Sequence, residues 1–360
     1  MPTIREVAEK SGVSAMSVSR VLSHGPQRKR CSESVIRRVE EAAEQLGYRV
    51  NYHMRSVRNK RSDTIGLVVE LDIQKQGNQT GDWYFAQIYD GVQAAAQENG
   101  LMVLQVRPNP GENNLSAIEQ GVHFIQERRL DGLVVIETTD QREKILAVAE
   151  TVLKNIPITI IEPHLKTSFN EVRFDHQAGV NMLVDHLASL GHHHLLWLGP
   201  VNPSKVHPDR EQQFLKAAFA RGMQGQCCHF QWPENDHVFE TEIQHINKAL
   251  NDFLDKHPLN FTAIVAYNDL IALAAYQVLA QRGIPIPQQV SVTGFDDSHA
   301  VLGSPSLTTV SHELFEMGRR AGHITIDMIS SSSKKHKQKC ETISPKLIVR
   351  NSTGPTTPLP

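Results

Sequence analysis

Residues 3–22 read TIREVAEKSGVSAMSVSRVL, and this stretch decides the fold at the start of the chain. Thr3 and Glu6 stand at the T-x-x-E spacing of a capping box, in which both side chains satisfy backbone N–H groups at a helix start. Gly12 predicts the end of this first helix and a sharp turn, and Ser14 predicts the cap of a second helix. Two short helices around a glycine turn predict a helix-turn-helix, whose second helix enters the major groove of DNA.

The second helix is predicted to have two unlike faces. At 3.6 residues per turn, Val18 and Val21 fall on one side, and Met16 and Arg20 fall on the other. Arg20 can donate two hydrogen bonds to guanine, and small hydroxyls beside it can reach phosphates or base edges. A plain two-helix corner with a solvated arginine is the alternative. The residues of this segment that are predicted to contact DNA are Thr3, Ser14, Ala15, Met16, Ser17, Ser19 and Arg20.

A third helix is predicted from its cap at Ser32 to its end at Gly47, which completes an all-α bundle over residues 1–48. The distribution of charge indicates the partner of this bundle. Residues 1–62 hold 13 Lys and Arg against 6 Asp and Glu, whereas the rest of the chain holds 24 against 33. A basic head on an acidic body favours binding of the head to an anionic polymer, and nucleic acid is the obvious candidate.

Residues 49–63 are predicted to be a hinge between the bundle and the rest of the chain. The segment is basic, with Arg55 among its cations, and it has little apolar surface with which to fold by itself. We expect it to become ordered against DNA phosphates, and a solvated linker is the alternative.

The motifs Ile4 to Ala8, Gly12 to Ser14 and Ser17 to Leu22 resemble the DNA-binding signature of the LacI/GalR family of bacterial transcription regulators. The similarity extends over nearly the full length, and the ending Ile343 to Thr353 resembles the family's C-terminal signature. The resemblance implies that the residues Ala15, Met16 and Arg20 read bases.

The resemblance also implies a hinge helix that becomes ordered on operator DNA and inserts an apolar side chain into the minor groove. Asn51 lies at the start of this segment, and Val57 stands at the position of the wedging residue. The chain departs from the family at Val50, Met54 and Val57, where most members have Pro, Ala and Leu.

After residue 63, short apolar runs alternate with amphipathic segments. Runs such as Thr64 to Leu71 predict buried parallel strands, and segments such as Phe85 to Asn99 predict the helices between them. This βαβ rhythm repeats in a second half, which predicts a two-lobed α/β sensor domain with parallel sheets.

The resemblance implies that this sensor domain has the periplasmic-binding-protein-like fold, in which the chain crosses between the lobes three times. The first lobe is expected at about 64–162 and 294–325, and the second at about 163–293 and 326–353. Together the lobes form an effector-binding and dimerisation domain over 64–353. Residues 354–360 are expected to be a flexible tail.

Ligands of open α/β sheets bind outside the carboxyl ends of the strands. Glu162, Asn268 and Asp296 each follow a predicted strand, and Arg210 begins a helix after a loop. Polar groups of both charges suit a small polar metabolite, because they replace its lost bonds to water. The resemblance implies effector contacts at Arg210, Asn268 and Asp296, and Glu162 stands where many members have Asp.

Aromatic residues after the first predicted strand and two further acidic residues are also candidates. Trp83 and Tyr84 could stack on a flat ligand or on the face of a sugar, and packing is the alternative for each. Asp269 and Asp297 are expected to cap helices rather than to touch a ligand.

Metal binding, cofactors and catalysis are not predicted. Histidines 192–194 alternate between the two faces of a strand, and the cysteines show no C-x-x-C spacing. No P-loop, nucleophile elbow or dinucleotide-binding motif is found. Scattered thiols without a signal peptide or membrane span favour a cytoplasmic, nucleoid-associated protein with no membrane partner.

These patterns predict a homodimer that binds a pseudo-palindromic operator and is controlled by a small effector in the cleft between the lobes. A carbohydrate is the favoured effector class, and another polar metabolite fits the same residues. Whether the effector releases or recruits DNA is left open. Because the hinge departs from the family pattern, one alternative stays open, which is a soluble sugar-binding module with only nonspecific DNA binding.

Overall fold

The computed structural model describes residues 2–22, 30–49, 56, 60–69, 80–108, 115–136, 156–163, 168–201, 210–231, 239–298, 300–331 and 337–356. Contacts between residues divide the chain into two units, Met1–Asp63 and Thr64–Pro360. The predicted hinge residues Asn51, Arg55 and Val57 lie outside the described residues, and so do Val50 and Met54.

The first unit contains three described helices, α1 (Ile4–Ser11), α2 (Ala15–Leu22) and α3 (Glu33–Leu46). The predicted capping box is present, because Thr3 N–H donates to Glu6 Oε2 at 2.5 Å and Glu6 N–H donates to Thr3 Oγ at 3.4 Å. Gly12 ends α1 with a φ of 66°, in the left-handed region that glycine tolerates best. The apolar sides of the three helices enclose one core, whose fully buried members are Val7, Val18, Val21 and Val39.

The start of α3 differs from the prediction. Ser32 precedes the helix, but its side chain makes no capping bond and its Oγ lies 3.1 Å from the Oγ of Ser34. The neighbouring hydroxyl therefore competes with the backbone for the cap. The predicted end at Gly47 is confirmed, with a left-handed φ of 63°.

The second unit alternates strands and helices. Its described strands are β1 (Thr64–Val68), β2 (Met102–Val106), β3 (Gly132–Ile136), β4 (Ile158–Ile161), β5 (Asn170–Phe174), β6 (His194–Pro200), β7 (Gln224–Phe230), β8 (Ala263–Ala266), β9 (Ser291–Thr293), β10 (Thr309–Ser311), β11 (Cys340–Ile343) and β12 (Lys346–Ile348). Its described helices are α4 (Thr80–Glu98), α5 (Ala117–Gln126), α6 (His176–Ser189), α7 (Arg210–Ala220), α8 (Phe239–Lys256), α9 (Asp269–Gln281) and α10 (Leu314–Ser330).

Two parallel sheets give this unit its two lobes. The first has the order β11-β5-β4-β3-β1-β2, and the second has the order β7-β6-β8-β9. Every residue of β1, β3, β4 and β8 is buried. Helices pack on these sheets, which explains why the central strands are continuous apolar runs. The α/β architecture predicted from the sequence is confirmed.

The lobe boundaries differ from those expected. β5 belongs to the first sheet, although it comes after residue 163, and β11 joins the same sheet as the parallel neighbour of β5. Helix α10 packs against α4 and against β3 to β5, so the first lobe extends past residue 326. The difference has a physical reason: β5 and β11 carry charged residues that local hydropathy assigns to loops, and their pairing is non-local.

The end of the chain returns to the second lobe, as expected. Backbone N–H of Val292 donates to the carbonyl of Ser352 at 2.9 Å, and Thr356 donates to Leu190 at 2.9 Å. Residues 354–356 of the predicted tail therefore pack on the second lobe. Residues 357–360 lie outside the described residues.

Helices α4 and α10 approach each other closely through glycines. A Cβ atom on Gly91 would overlap the carbonyl oxygen of Phe315, and one on Gly318 would overlap that of Ile88. Only glycine permits the two backbones to lie so close together, so these two positions allow α10 to pack directly against α4 in the first lobe.

Candidate functional site

Helix α2 presents an exposed face opposite its buried side. Met16 is 65% exposed, whereas Val18 and Val21 are fully buried, so the predicted division of this helix is confirmed. Arg20 is exposed, and its Nη2 lies 3.4 Å from the sulfur of Met16 one turn earlier. A cation and a flexible apolar side chain thus share the surface that faces solvent.

The other predicted DNA contacts surround this surface or the start of α1. Ser14 and Ala15 are exposed, and Ser17 and Ser19 are half-buried. The Ser14 Oγ accepts a hydrogen bond from Ser17 N–H at 3.1 Å, so Ser14 caps α2, as predicted. Thr3 is exposed, and its hydroxyl takes part in the capping box.

In the second unit, Arg210, Asp296 and His312 form one largely buried ionic cluster, in which the Asp296 side chain is 18% exposed. Arg210 is the first residue of α7 and is 2% exposed. Its Nη1 donates to the carbonyl oxygen of Tyr267 at 2.6 Å, and its Nη2 lies 3.3 Å from His312 Nε2 and 3.8 Å from Asp296 Oδ1. His312 Nδ1 in turn lies 3.1 Å from Asp296 Oδ1. The structure therefore brings the predicted residues Arg210 and Asp296 together.

Glu162 belongs to the first lobe and forms a second buried pair. Its Oε2 lies 2.7 Å from His176 Nε2, and its Oε1 accepts a hydrogen bond from Phe174 N–H. Burial lowers the pKa of His176 to about 4. Burial alone would raise the pKa of Glu162, but its hydrogen bonds with His176 and with the backbone of Phe174 outweigh burial and lower it. At neutral pH the pair carries one negative charge, on Glu162.

Aromatic rings connect these two clusters, with His312 at their centre. The centroid of its ring lies 4.3 Å from Phe174, 5.0 Å from Phe295 and 5.3 Å from His176, each in an edge-to-face arrangement. The predicted site residue Tyr84 lies 6.2 Å from His312, and burial raises the pKa of its phenol. Tyr84 is therefore a neutral hydroxyl beside the ionic cluster.

Arg210 is also held by rings. Its guanidinium carbon lies 4.1 Å from the centroid of Phe295 and 4.8 Å from that of Tyr267. Cation–π contacts of this kind stabilise a buried cation. The Nε of Arg210 is buried and has no hydrogen-bond partner among the described residues, so it is an unsatisfied donor within the cluster.

Trp83 and Asn268 lie at less enclosed places. Trp83 lines a cavity of about 440 Å³ together with Asp296, Ser311 and Glu313. Asn268 caps α9, because its Oδ1 accepts a hydrogen bond from Ile271 N–H at 3.0 Å. Its Oδ1 is therefore engaged by the backbone, and the amide nitrogen is the group that would meet a ligand.

The expected caps Asp269 and Asp297 have other roles, so that prediction is wrong. Asp297 forms an ion pair with Arg350, with 2.7 Å between Oδ1 and Nη2. Asp269 is fully buried and accepts hydrogen bonds from Thr309 Oγ1 at 2.6 Å and Ser298 N–H at 2.8 Å. The preceding Asn268 takes the cap position, which leaves Asp269 inside the helix, facing the loop after β9.

Backbone strain is concentrated at the same strand ends. The φ angles of Glu162, Asp296, Asp297 and Glu313 are 55°, 108°, 54° and 51°, although none of them is glycine. Left-handed conformations cost of order 1 kcal/mol or more for such residues and persist where surrounding contacts enforce them, which is common at ligand sites.

Five residues of this site were not predicted from the sequence: Phe174, His176, Tyr267, Phe295 and His312. His312 follows β10 directly, and Tyr267 follows β8, so the rule that ligands bind at strand ends would have selected both. The others required β5 and the pairing of the two sheets to be known.

The histidine run was predicted to lie on a strand, but β6 begins only at His194, so this placement is wrong for His192 and His193. His192 is buried, with Nδ1 2.8 Å from Thr262 Oγ1 and Nε2 3.1 Å from the carbonyl of Gly354.

Among the described residues, no helix is long and apolar enough to span a membrane.

Comparisons with known proteins match both units. Residues 3–51 match the family described as Bacterial regulatory proteins, lacI family, and residues 184–353 match the Periplasmic binding protein-like domain. The chain is similar to the HTH-type transcriptional regulator DegA of Bacillus subtilis (strain 168), with 27% identity over 98% of each chain.

Two solved structures share the fold over almost the whole length. A lac repressor dimer bound to operator and the anti-inducer ONPF matches with a TM-score of 0.75 and 23% identity, over 98% of this chain and 99% of that one. The transcriptional regulator CelR-cellobiose complex matches with a TM-score of 0.64 and 24% identity, over 98% of this chain and 100% of that one.

Proposed function

Because the chain belongs to the LacI/GalR family of bacterial transcription regulators, we propose that it is an operator-binding repressor controlled by a carbohydrate or a related polar metabolite. One observation carries the proposal. The same chain has a helix-turn-helix with an exposed cation and a second unit with a buried ionic cluster at the ends of two sheets.

The DNA-binding part of the proposal rests on α2. Its buried valines fix the helix in the bundle, and this places Met16 and Arg20 on the exposed side, where they can approach base edges. We propose that Arg20 makes a bidentate contact with guanine and that Met16 contacts a thymine methyl group. The smaller residues around them, which are Thr3, Ser14, Ala15, Ser17 and Ser19, would contact phosphates or base edges. Asn51, Arg55 and Val57 are proposed to act in the hinge.

The effector part rests on the residues between the sheets. Glu162 comes from the first lobe, and Arg210, Asn268 and Asp296 come from the second. Carboxylates accept hydrogen bonds from hydroxyl groups, while Arg210 donates them, and aromatic rings beside them suit the apolar face of a sugar. The cellobiose bound to CelR supports a carbohydrate as the effector class. A ligand that joins the two lobes would change their relative pose and thereby bias the hinge.

A homodimer acting in the cytoplasm is proposed for the working form. A two-fold dimer places two headpieces on a pseudo-palindromic operator. The relatives are transcription regulators, and we propose that this chain likewise has no enzymatic activity. Prolonged incubation of the pure protein with candidate sugars should give no turnover.

Specific operator binding can be tested by fluorescence anisotropy against DNA from upstream of the protein's own gene, at two salt concentrations and with competitor DNA. Nonspecific binding falls steeply with salt, whereas an operator should keep a preference of at least about a thousandfold over competitor. A ratio near one would instead support the alternative, a sugar-binding module with nonspecific DNA binding.

The effector can be identified by a thermal-shift screen of sugars, sugar acids and nucleobases. A ligand at 100 times its dissociation constant stabilises the protein by about 2.7 kcal/mol, which is easily measured. Compounds that shift the melting temperature are then added to the operator-binding assay. A ligand that binds without altering operator affinity would contradict the proposed control.

A further inference from the structure

Glu211, Cys227 and His229 bring a carboxylate, a thiol and an imidazole together on the second lobe. One ligand atom from each residue lies within 4.8 Å of the other two. His229 Nε2 lies 3.0 Å from Glu211 Oε2. Among the described residues this is the only such group of three metal-ligating side chains, and the proposed effector site does not use it.

The geometry of β7 explains why these side chains converge. Alternate residues of a strand point to the same face, so Cys227 and His229 share one face of β7. Cys228 points to the other, where its thiol donates to the carbonyl of Ala249 in α8 at 3.7 Å. Helix α7 packs against β7 and carries Glu211 in its first turn. The three ligand atoms therefore come from two packed elements of regular structure.

The chemistry of the set matches zinc and similar ions. Zn²⁺ binds sulfur, imidazole nitrogen and carboxylate oxygen at about 2.0–2.3 Å in a tetrahedral arrangement, which places ligand atoms about 3.3–3.6 Å apart. The present separations, 3.0 Å for one pair and no more than 4.8 Å for the others, need adjustments of roughly 1 Å to reach that geometry. Three protein ligands leave a fourth position for water.

The charges of the three side chains suit a divalent cation. A divalent cation displaces the thiol proton to solvent, and one thiolate with one carboxylate then balances its two positive charges.

We propose that Glu211, Cys227 and His229 form a binding site for a divalent transition metal of the zinc class, with water as the fourth ligand. Glu211 directly follows Arg210 in α7. A bound ion would fasten the first turn of this helix to β7, and so hold the helix that positions Arg210 in the ionic cluster.

The test is titration of the full-length protein with cobalt chloride and then with zinc sulfate. Cobalt is used because a thiolate ligand gives it a near-ultraviolet charge-transfer band. We expect one Co²⁺ per chain and loss of the band when Zn²⁺ is added. Cys227→Ser should abolish the band, and His229→Gln, at an exposed position, should weaken metal affinity by at least about tenfold.

Cys340→Ser is the matched control, because it changes an exposed thiol that lies outside the proposed site. This variant should keep the band and the affinity of the wild type, and circular dichroism should show that all variants are folded. The proposal is overturned if the wild type gives no thiolate band, or if Cys227→Ser or His229→Gln binds cobalt as the wild type does.

Discussion

Asp269 is a carboxyl group whose ionisation opposes folding. It is fully buried, and burial raises its pKa to about 8, with the negative charge of Asp296 adding to the effect. In the folded protein the group is therefore protonated at pH 6, whereas in the unfolded chain it is ionised. Asp269→Asn replaces the acid with a neutral amide of the same shape, which can still accept from Ser298 N–H and can donate to Thr309 Oγ1.

The sign and size of the effect follow from linkage. The folded state holds the proton more tightly, so the stabilisation is complete below a pH of about 4 and is lost as pH rises through about 8. One pKa unit corresponds to about 1.4 kcal/mol, so this group should lower the free energy of unfolding by about 2.7 kcal/mol between pH 6 and pH 9. Asp269→Asn should lack this part of the pH dependence.

Urea unfolding at pH 6 and at pH 9, followed by tryptophan fluorescence, measures the difference. Residues 83, 197 and 232 are the tryptophans, and all lie in the second unit, so the signal reports that unit alone. Asp327→Asn is the control, because it removes a carboxylate that is 67% exposed, and it should retain the pH dependence of the wild type. If Asp269→Asn also retains it, the buried carboxyl is ionised in the folded protein and the reasoning fails.

Other substitutions test the two units separately. Arg20→Ala should reduce discrimination at one base position by about 1–3 kcal/mol in a binding assay over operator variants, and unchanged base preference would assign Arg20 to phosphate. Val18→Ala should lower the unfolding free energy of the headpiece by about 2 kcal/mol in thermal denaturation, whereas Met16→Ala, at an exposed site, should change it by less than about 0.5 kcal/mol; equal effects would contradict the assigned faces. Gly318→Ala should cost about 1–3 kcal/mol or more in urea unfolding, and a neutral effect would show that the helices do not touch there. Arg210→Lys should abolish the thermal shift given by the effector, because lysine lacks the planar fork, and a retained shift would place the ligand elsewhere.

The sequence predicted those parts of the molecule that depend on local interactions. The capping box of Thr3 and Glu6 and the turn at Gly12 each involve residues within a few positions of one another. Helical periodicity then sufficed to separate buried Val18 from exposed Met16. Asp296 was found because ligand-binding residues follow strands, which is also a local criterion, whereas Arg210 was found at the start of a helix and through the family resemblance.

The missed features depend on partners distant in the chain. The strand β5 reads NEVRF, and one of its partners in the sheet is β11, which comes from the distant residues 340–343. His312 could have been selected because it follows a strand, but its contact with Arg210, which is 102 residues away, gives no local signal. Asp269 was assigned as a cap from its position at a helix start, and its contact with Thr309 lies 40 residues further on.

The placement of α10 and β11 sets an order of events during synthesis. The headpiece needs only residues 1–63 for its contacts, so it can fold soon after it leaves the ribosome. The first lobe begins at β1 but lacks its covering helix and a sheet strand until residues 314–343 have emerged. A nascent or truncated chain that ends before residue 314 therefore has a folded DNA-binding headpiece and an incomplete sensor domain. We expect the DNA affinity of such a chain to be unaffected by any effector. We also expect the chain to expose apolar surface that chaperones recognise.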